Sequence, residues 1–284
     1  MGKGMNTLHN ITQQLSQLDL MHCDENLVSN IISQIPTYAL PILHIPKGSC
    51  FIRATSLEMN EKVTVGRLSY KPKNKDDKDD KFQRATICGE TIFYSVLQNP
   101  TQNRGVTDAR ALSLAEACWF FREKNVPDGV YRATISEWRT TADLNICAML
   151  NIRGTNKSQW FQQMKNEGVK KMQEHYKQDD FEVQADFQEF IASQFRKHVK
   201  EGKNNEYMIS AYYTHHLRSL LGCSLAGVCY ESAVNIDEKL NNSLCAAIFP
   251  EFVDSYLLPP KEYLDCTLEI CNNKCNSICC PKPI

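Results

Sequence analysis

The segment Ala111-Leu112-Ser113-Leu114-Ala115-Glu116-Ala117-Cys118-Trp119-Phe120-Phe121 carries only two polar side chains, Ser113 and Glu116. Ala and Leu favour helix strongly and no Gly or Pro interrupts the run. A helix that is apolar nearly all the way round must be buried, so the fold has to supply a core around it. A carboxylate inside such a helix needs a partner, because desolvating an unpaired one costs several kcal/mol or forces protonation. Buried acids of this kind are often catalytic. The plainer alternative is that Arg110, Ser113 and Glu116, spaced by three, form a narrow solvated stripe.

At 284 residues the chain is long enough to bury a sizeable core. Basic and acidic residues nearly balance, 32 against 33, so net charge gives no case for direct binding of nucleic acid or an anionic membrane. No stretch approaches the roughly 20 apolar residues of a membrane span. The N-terminal MGKGMNTLHN lacks the apolar core of a secretory signal, which makes a cytoplasmic location the expectation. Gly2 is a weak myristoylation candidate, because Asn6 stands where Ser or Thr is usual.

Of the 13 cysteines, Cys266, Cys271, Cys275, Cys279 and Cys280 crowd into the tail, and the others lie mostly in apolar runs, as reduced core residues. Zinc modules pair cysteines as C-x2-C or C-x4-C across a loop. The tail does not match that spacing, so it reads as a poorly ordered segment of reduced thiols and not as a metal site.

Residues 5–36 read as two amphipathic helices, with Leu8, Ile11, Leu15 and Leu18 and then Leu27, Ile31 and Ile32 at helical spacing. Strands are expected near 50–55, 91–97, 130–135, 146–150, 226–230 and 244–249, and a helix over 205–221 stopped by Gly222. Residues 71–81 are almost wholly Lys and Asp and read as a mobile surface loop. From 156 to 201 Gln, Lys and Glu alternate with spaced Phe, Met and Val, which predicts long surface-lying helix inserted between strands. Asp186, Glu189 and Glu182 belong to its solvated face, and His215-His216 is a structural pair without a third ligand. Strands and helices do not alternate regularly, so the expected class is mixed α+β. The organisation reads as an N-terminal helical segment over 1–47, a main domain over 48–260 and a Cys-rich tail over 261–284. Neither G-x-G-x-x-G nor G-x-x-x-x-G-K-[ST] occurs.

Several fragments fall in a telling order: Phe51-Ile52-Arg53, Gly66-Arg67-Leu68-Ser69, Phe93-Tyr94-Ser95, the Glu116 helix, and Gly227-Val228-Cys229-Tyr230-Glu231-Ser232-Ala233-Val234-Asn235. Asn242 and Ala247-Ile248-Phe249-Pro250 follow. Over about residues 48–260 this order resembles the RES domain family. Leu68-Ser69 stands where the family has Trp-Asn, Glu231 stands where Pro is common, and the Arg67–Tyr94 and Tyr94–Glu116 spacings are longer than usual. The resemblance implies an ADP-ribosyltransferase-like mixed sheet core acting on NAD as substrate. It further implies cleavage of the nicotinamide–ribose bond by phosphate or water, or passage of ADP-ribose to a protein. Many members are toxins held by a helix-turn-helix antitoxin. A homodimer is a further expectation, and a catalytically silent interaction module is the alternative from another class.

The chemistry assigns roles to the matching residues. Departure of nicotinamide leaves an oxocarbenium-like ribose, and the Glu116 carboxylate is the candidate to stabilise its charge. Arg67, and secondarily Arg53, match a pyrophosphate through paired donors and would hold Glu116 ionised. Tyr94 offers a ring to stack on nicotinamide or a hydroxyl to hydrogen-bond it. Ser232 supplies a hydroxyl for ribose or phosphate, and Asn235 completes the NAD-binding set.

Overall fold

Leu8, Ile11 and Leu15 are all buried, as their spacing requires, and they line the inner side of the first helix. The computed structural model of the chain describes residues 3–71, 81–98, 105–121, 126–200, 202–234, 244–271 and 274–284. The Lys/Asp loop expected over 71–81 lies almost wholly outside them. In chain order the helices are α1 (Lys3–Ser16), α2 (Glu25–Ser33), α3 (Val65–Leu68), α4 (Gly105–Ala117), α5 (Gln159–His175), α6 (Gln178–Phe195), α7 (Met208–Leu221) and α8 (Pro250–Tyr256). The strands are β1 (Ile42–Ile45), β2 (Cys50–Leu57), β3 (Phe93–Leu97), β4 (Gly129–Thr140), β5 (Leu144–Ala148), β6 (Gly227–Tyr230), β7 (Leu244–Ile248), β8 (Leu257–Leu258), β9 (Glu262–Cys271) and β10 (Lys274–Pro283). The fold is mixed α+β, with parallel and antiparallel strand pairing. Among the described residues no helix is long and apolar enough to cross a membrane.

The chain divides into two units, the first comprising residues 1–44, 73–91 and 145–233 and the second 45–72, 92–144 and 234–284. In the first, α1 packs on α6 and α2 on α7. Asp24 caps α2 by accepting from the Asn26 amide at 2.9 Å. Gly222 ends α7 at φ +48°, a left-handed conformation that suits glycine. Strands β5 and β6 pair in parallel, with Cys147 opposite Val228.

One expectation is corrected here. Over 156–201 α6 is not surface-lying: Ala185, Phe187 and Phe195 are fully buried, and so is Gln184. The glutamines that gave the segment its polar look are held inside by one end of the amide: Gln184 and Gln188 both donate through Nε2 to the Ala39 carbonyl, at 3.1 and 2.8 Å, while their Oε1 atoms have no partner among the described residues. A buried amide with a partner is tolerated in a core. On the solvated side, Arg153 pairs with Glu182 and Asp186, and Arg196 with Glu189.

In the second unit the strands lie in the order β7-β3-β2-β4-β9-β10, every neighbour antiparallel, with β8 pairing the end of β4. Alternation along each strand puts Phe51, Phe93 and Trp138 on one face, with the Phe93 and Trp138 rings edge-to-face at 5.2 Å. Ile52, Val96, Ile135 and Cys245 point to the opposite face, where α4 lies. Both faces are covered, which is why β2 is buried along most of its length.

The tail is also corrected. Residues expected to be poorly ordered build β9 and β10, a hairpin in which Cys266 and Cys279 stand opposite each other and form a disulfide. Period-two alternation in β9 buries Cys266, Leu268 and Ile270 against the α4 side, whereas the described β10 side chains are exposed.

Candidate functional site

Arg53, Arg67, Tyr94 and Glu116 all belong to the second unit. Ser232 belongs to the first unit, half-buried just after Glu231, and Asn235 lies outside the described residues, as does Asn242.

The centre of the site is a fork in the sheet. β2 pairs with β3 only at Phe51–Leu97 and Ile52–Val96, although β3 continues along β7 to Phe93. Arg53 is the first residue of β2 beyond the last rung. Its Nη1 donates to the Tyr94 carbonyl at 2.6 Å, and its guanidinium lies over the Phe93 ring, 5.2 Å from the centroid. Its Nε is buried and has no partner among the described residues. Burial pushes the guanidinium down to about 10, and the positive charge of nearby Arg67 adds to the shift.

Arg67 sits in α3, whose N-cap Thr64 accepts from the Arg67 amide. Its Nε donates to Glu61, and its Nη2 donates to the Ser56 carbonyl at 2.9 Å, which ties the turn after β2 back to the strand. The Arg67 hydrogen bond holds the Glu61 carboxyl below its ordinary range. Arg132 braces the same corner, gripping Asp265 with Nε and Nη2 at 2.9 and 2.8 Å and donating through Nη1 to the Glu61 carbonyl at 2.7 Å.

Glu116 differs from expectation. It is half-buried, because α4 stops at Ala117 and the chain turns through Trp119–Phe121, leaving Glu116 in the last helical turn. Its Oε1 accepts from the Cys245 thiol at 3.6 Å. A carboxylate there faces the negative end of the helix dipole, an unfavourable place for it on helix grounds alone. The solvated-stripe alternative is not realised either, since Ser113 is buried. Tyr94 and Cys245 point to the same side of the sheet, so Glu116 and Tyr94 share a face. The Arg53 side chain packs on Phe93, on the opposite face, and meets that pair only through the fork.

Sequence reasoning missed the more deeply buried acid. Glu231, directly after β6, is 5% exposed, and its Oε1 accepts from the amide of Ser158, the residue that precedes α5, at 2.9 Å. Burial raises its carboxyl above the ordinary value, against the pull of the Ser158 and Lys157 amides and the Arg196 charge. The available signal was its position directly after the apolar run 225–230. Arg84, also missed, donates through Nη1 to the Lys197 carbonyl at 3.0 Å and lies over the Tyr207 ring at 5.0 Å. His215 pairs through Nδ1 with Glu90 at 3.0 Å, and burial pushes His216 below its ordinary value. Among the described residues no three His, Cys, Asp or Glu side chains are grouped to hold a metal ion.

No family model matches the chain, and no curated protein or solved structure matches it. What the fold defines is thus a mixed α+β protein with a forked antiparallel sheet, a guanidinium in the fork and a carboxylate on one adjoining face.

Proposed function

We propose that the protein consumes NAD by cleaving its nicotinamide–ribose bond, with phosphate or water as acceptor. One observation carries this reading: Arg53 holds a guanidinium in the sheet fork with no carboxylate partner among the described residues, and Arg67 lies near it. Arg67 already has the Glu61 carboxylate, so of the two the cation without a counter-ion among the described residues is the desolvated Arg53, which is costly to keep unless an anion joins it. A dinucleotide pyrophosphate supplies that anion, and guanidinium donors match its oxygens. The RES-like order of residues supports NAD as the dinucleotide. In this reading Tyr94 offers its ring to nicotinamide, and Glu116, on the same face, meets the developing positive charge of the ribose.

A second reading, a module that binds without turnover, is favoured by the engagement of Arg67 with Glu61 and Ser56. ADP-ribose transfer to a protein uses the same groups with another acceptor. The test is chromatography of NAD incubated with purified protein, with and without phosphate, alongside Glu116→Gln. The expected outcome is nicotinamide release that falls by about 100-fold in the variant. Equal release by both proteins removes Glu116 from the mechanism, and no release by either favours the silent module. Label from NAD retained on a protein band identifies transfer.

A further inference from the structure

The second unit has a cavity of about 640 Å³ that α4 lines through Arg110, six residues before Glu116. Its origin is covalent. β4 pairs with β8 at Arg139–Leu258 and with β9 from Ser136–Tyr263, and between these rungs the partner chain runs through Pro259 and Pro260. Proline has no amide proton to donate, so the ladder breaks and the chain bows away from β4.

The exposed floor of the gap carries charge. Glu137 accepts from Arg110 Nη2 and lies 3.9 Å from Arg139 Nη2, so one carboxylate stands between two guanidiniums. Arg110 Nε is buried with no partner among the described residues, and Arg139 is 58% exposed. Lys261 adds a third cation to the rim, against Glu137 and Glu262. The apolar part of the lining is Ile135, Leu258, the two prolines, Tyr263 and Leu264.

We propose that this cavity is a second ligand site, for a small organic anion bearing a ring. Three cations against two carboxylates leave one positive charge in excess, and the two guanidiniums among them select a phosphate or carboxylate head. The proline and tyrosine wall takes the ring, and the volume lies within the roughly 300–1,000 Å³ of small-molecule sites. Its lining shares no residue with the fork, and the proposal does not depend on the NAD reading.

Phenyl phosphate is the probe, titrated by calorimetry into the full chain, with inorganic phosphate as the ring-free comparison. Saturable binding of phenyl phosphate is expected, at least tenfold tighter than inorganic phosphate. Arg139→Gln, at an exposed position that leaves the core untouched, is expected to weaken it at least tenfold, and Leu258→Asp likewise. Arg67→Gln is expected to leave it unchanged. Unaltered affinity in both Arg139→Gln and Leu258→Asp overturns the site, as does absence of saturable binding. Loss in Arg67→Gln with retention in Arg139→Gln places the ligand at the fork and equally overturns it. Equal affinity for the two anions removes the ring-binding wall from the assignment.

Discussion

Arg53 donates from Nη1 to the backbone carbonyl of Tyr94 at the point where β2 and β3 stop pairing. A side chain thus occupies the place of the next ladder rung. The fork is held open by a charged group whose remaining donors face no carboxylate among the described residues, and this coupling of backbone geometry to an electrostatic demand makes the fork the candidate binding site.

Arg53→Met separates binding from folding. The variant loses a desolvated charge and keeps most of the side-chain volume, so stability in urea should change by no more than about 1 kcal/mol or should rise. Nucleotide binding should fall at least tenfold by calorimetry. A variant that unfolds readily, or one that binds NAD like the parent, contradicts this role.

Asp265→Ala should destabilise the second unit by about 1–2 kcal/mol, because it removes the two charge-assisted bonds that grip the partly solvated Arg132 guanidinium. Arg132 also holds the Glu61 backbone, so the turn carrying Arg67 should loosen with it. Faster amide exchange over 58–68 is the matching observation. Unchanged exchange there would show that the turn stands without this brace.

Glu231 gives a pH signature. Its folded value is raised above the unfolded one by burial, so the folded chain binds the proton more tightly. The resulting stability is complete below the unfolded value near 4.5 and is lost as pH rises through the higher folded value. Glu231→Gln removes this dependence. Denaturation curves from about pH 4 to about pH 7 should show the parent losing stability relative to the variant as pH rises. Parallel curves across that range would exclude the effect.

Cys279→Ser should open the terminal hairpin and leave the centre of the sheet alone. The disulfide closes a loop with a sequence separation of 13, worth about 3 kcal/mol by loop entropy. The described β10 side chains are exposed and add little burial. Exchange of β10 amides should accelerate with no change in β2 or β3, and equal protection in parent and variant would mean that the ladder alone secures the strand.

Local pattern reached much of this molecule. Short apolar, β-leaning runs located β2, β3, β4, β5, β6 and β7, helical spacing located α1 and α2, and Gly222 marked the end of α7. These signals are legible because each rests on near neighbours in the chain. The tail was misread because a strand pairing through Cys266 and Cys279 is recognised only beside its partner. Gln184 and Gln188 were misread for a related reason, since their polarity says nothing until the Ala39 carbonyl is in place.

For the candidate site the division is sharper. The sequence by itself determined which chemistry is carried: guanidiniums at 53 and 67, a phenol at 94 and a carboxylate at 116, on elements it largely predicted. Tertiary structure decided that β2 and β3 part after Ile52 and Val96, that Arg53 fills the gap, that Glu116 is half-buried and not enclosed, and that Glu231 is the buried acid among the described residues. The physical reason is that burial and charge are properties of surroundings assembled from distant segments, whereas side-chain chemistry belongs to the residue alone.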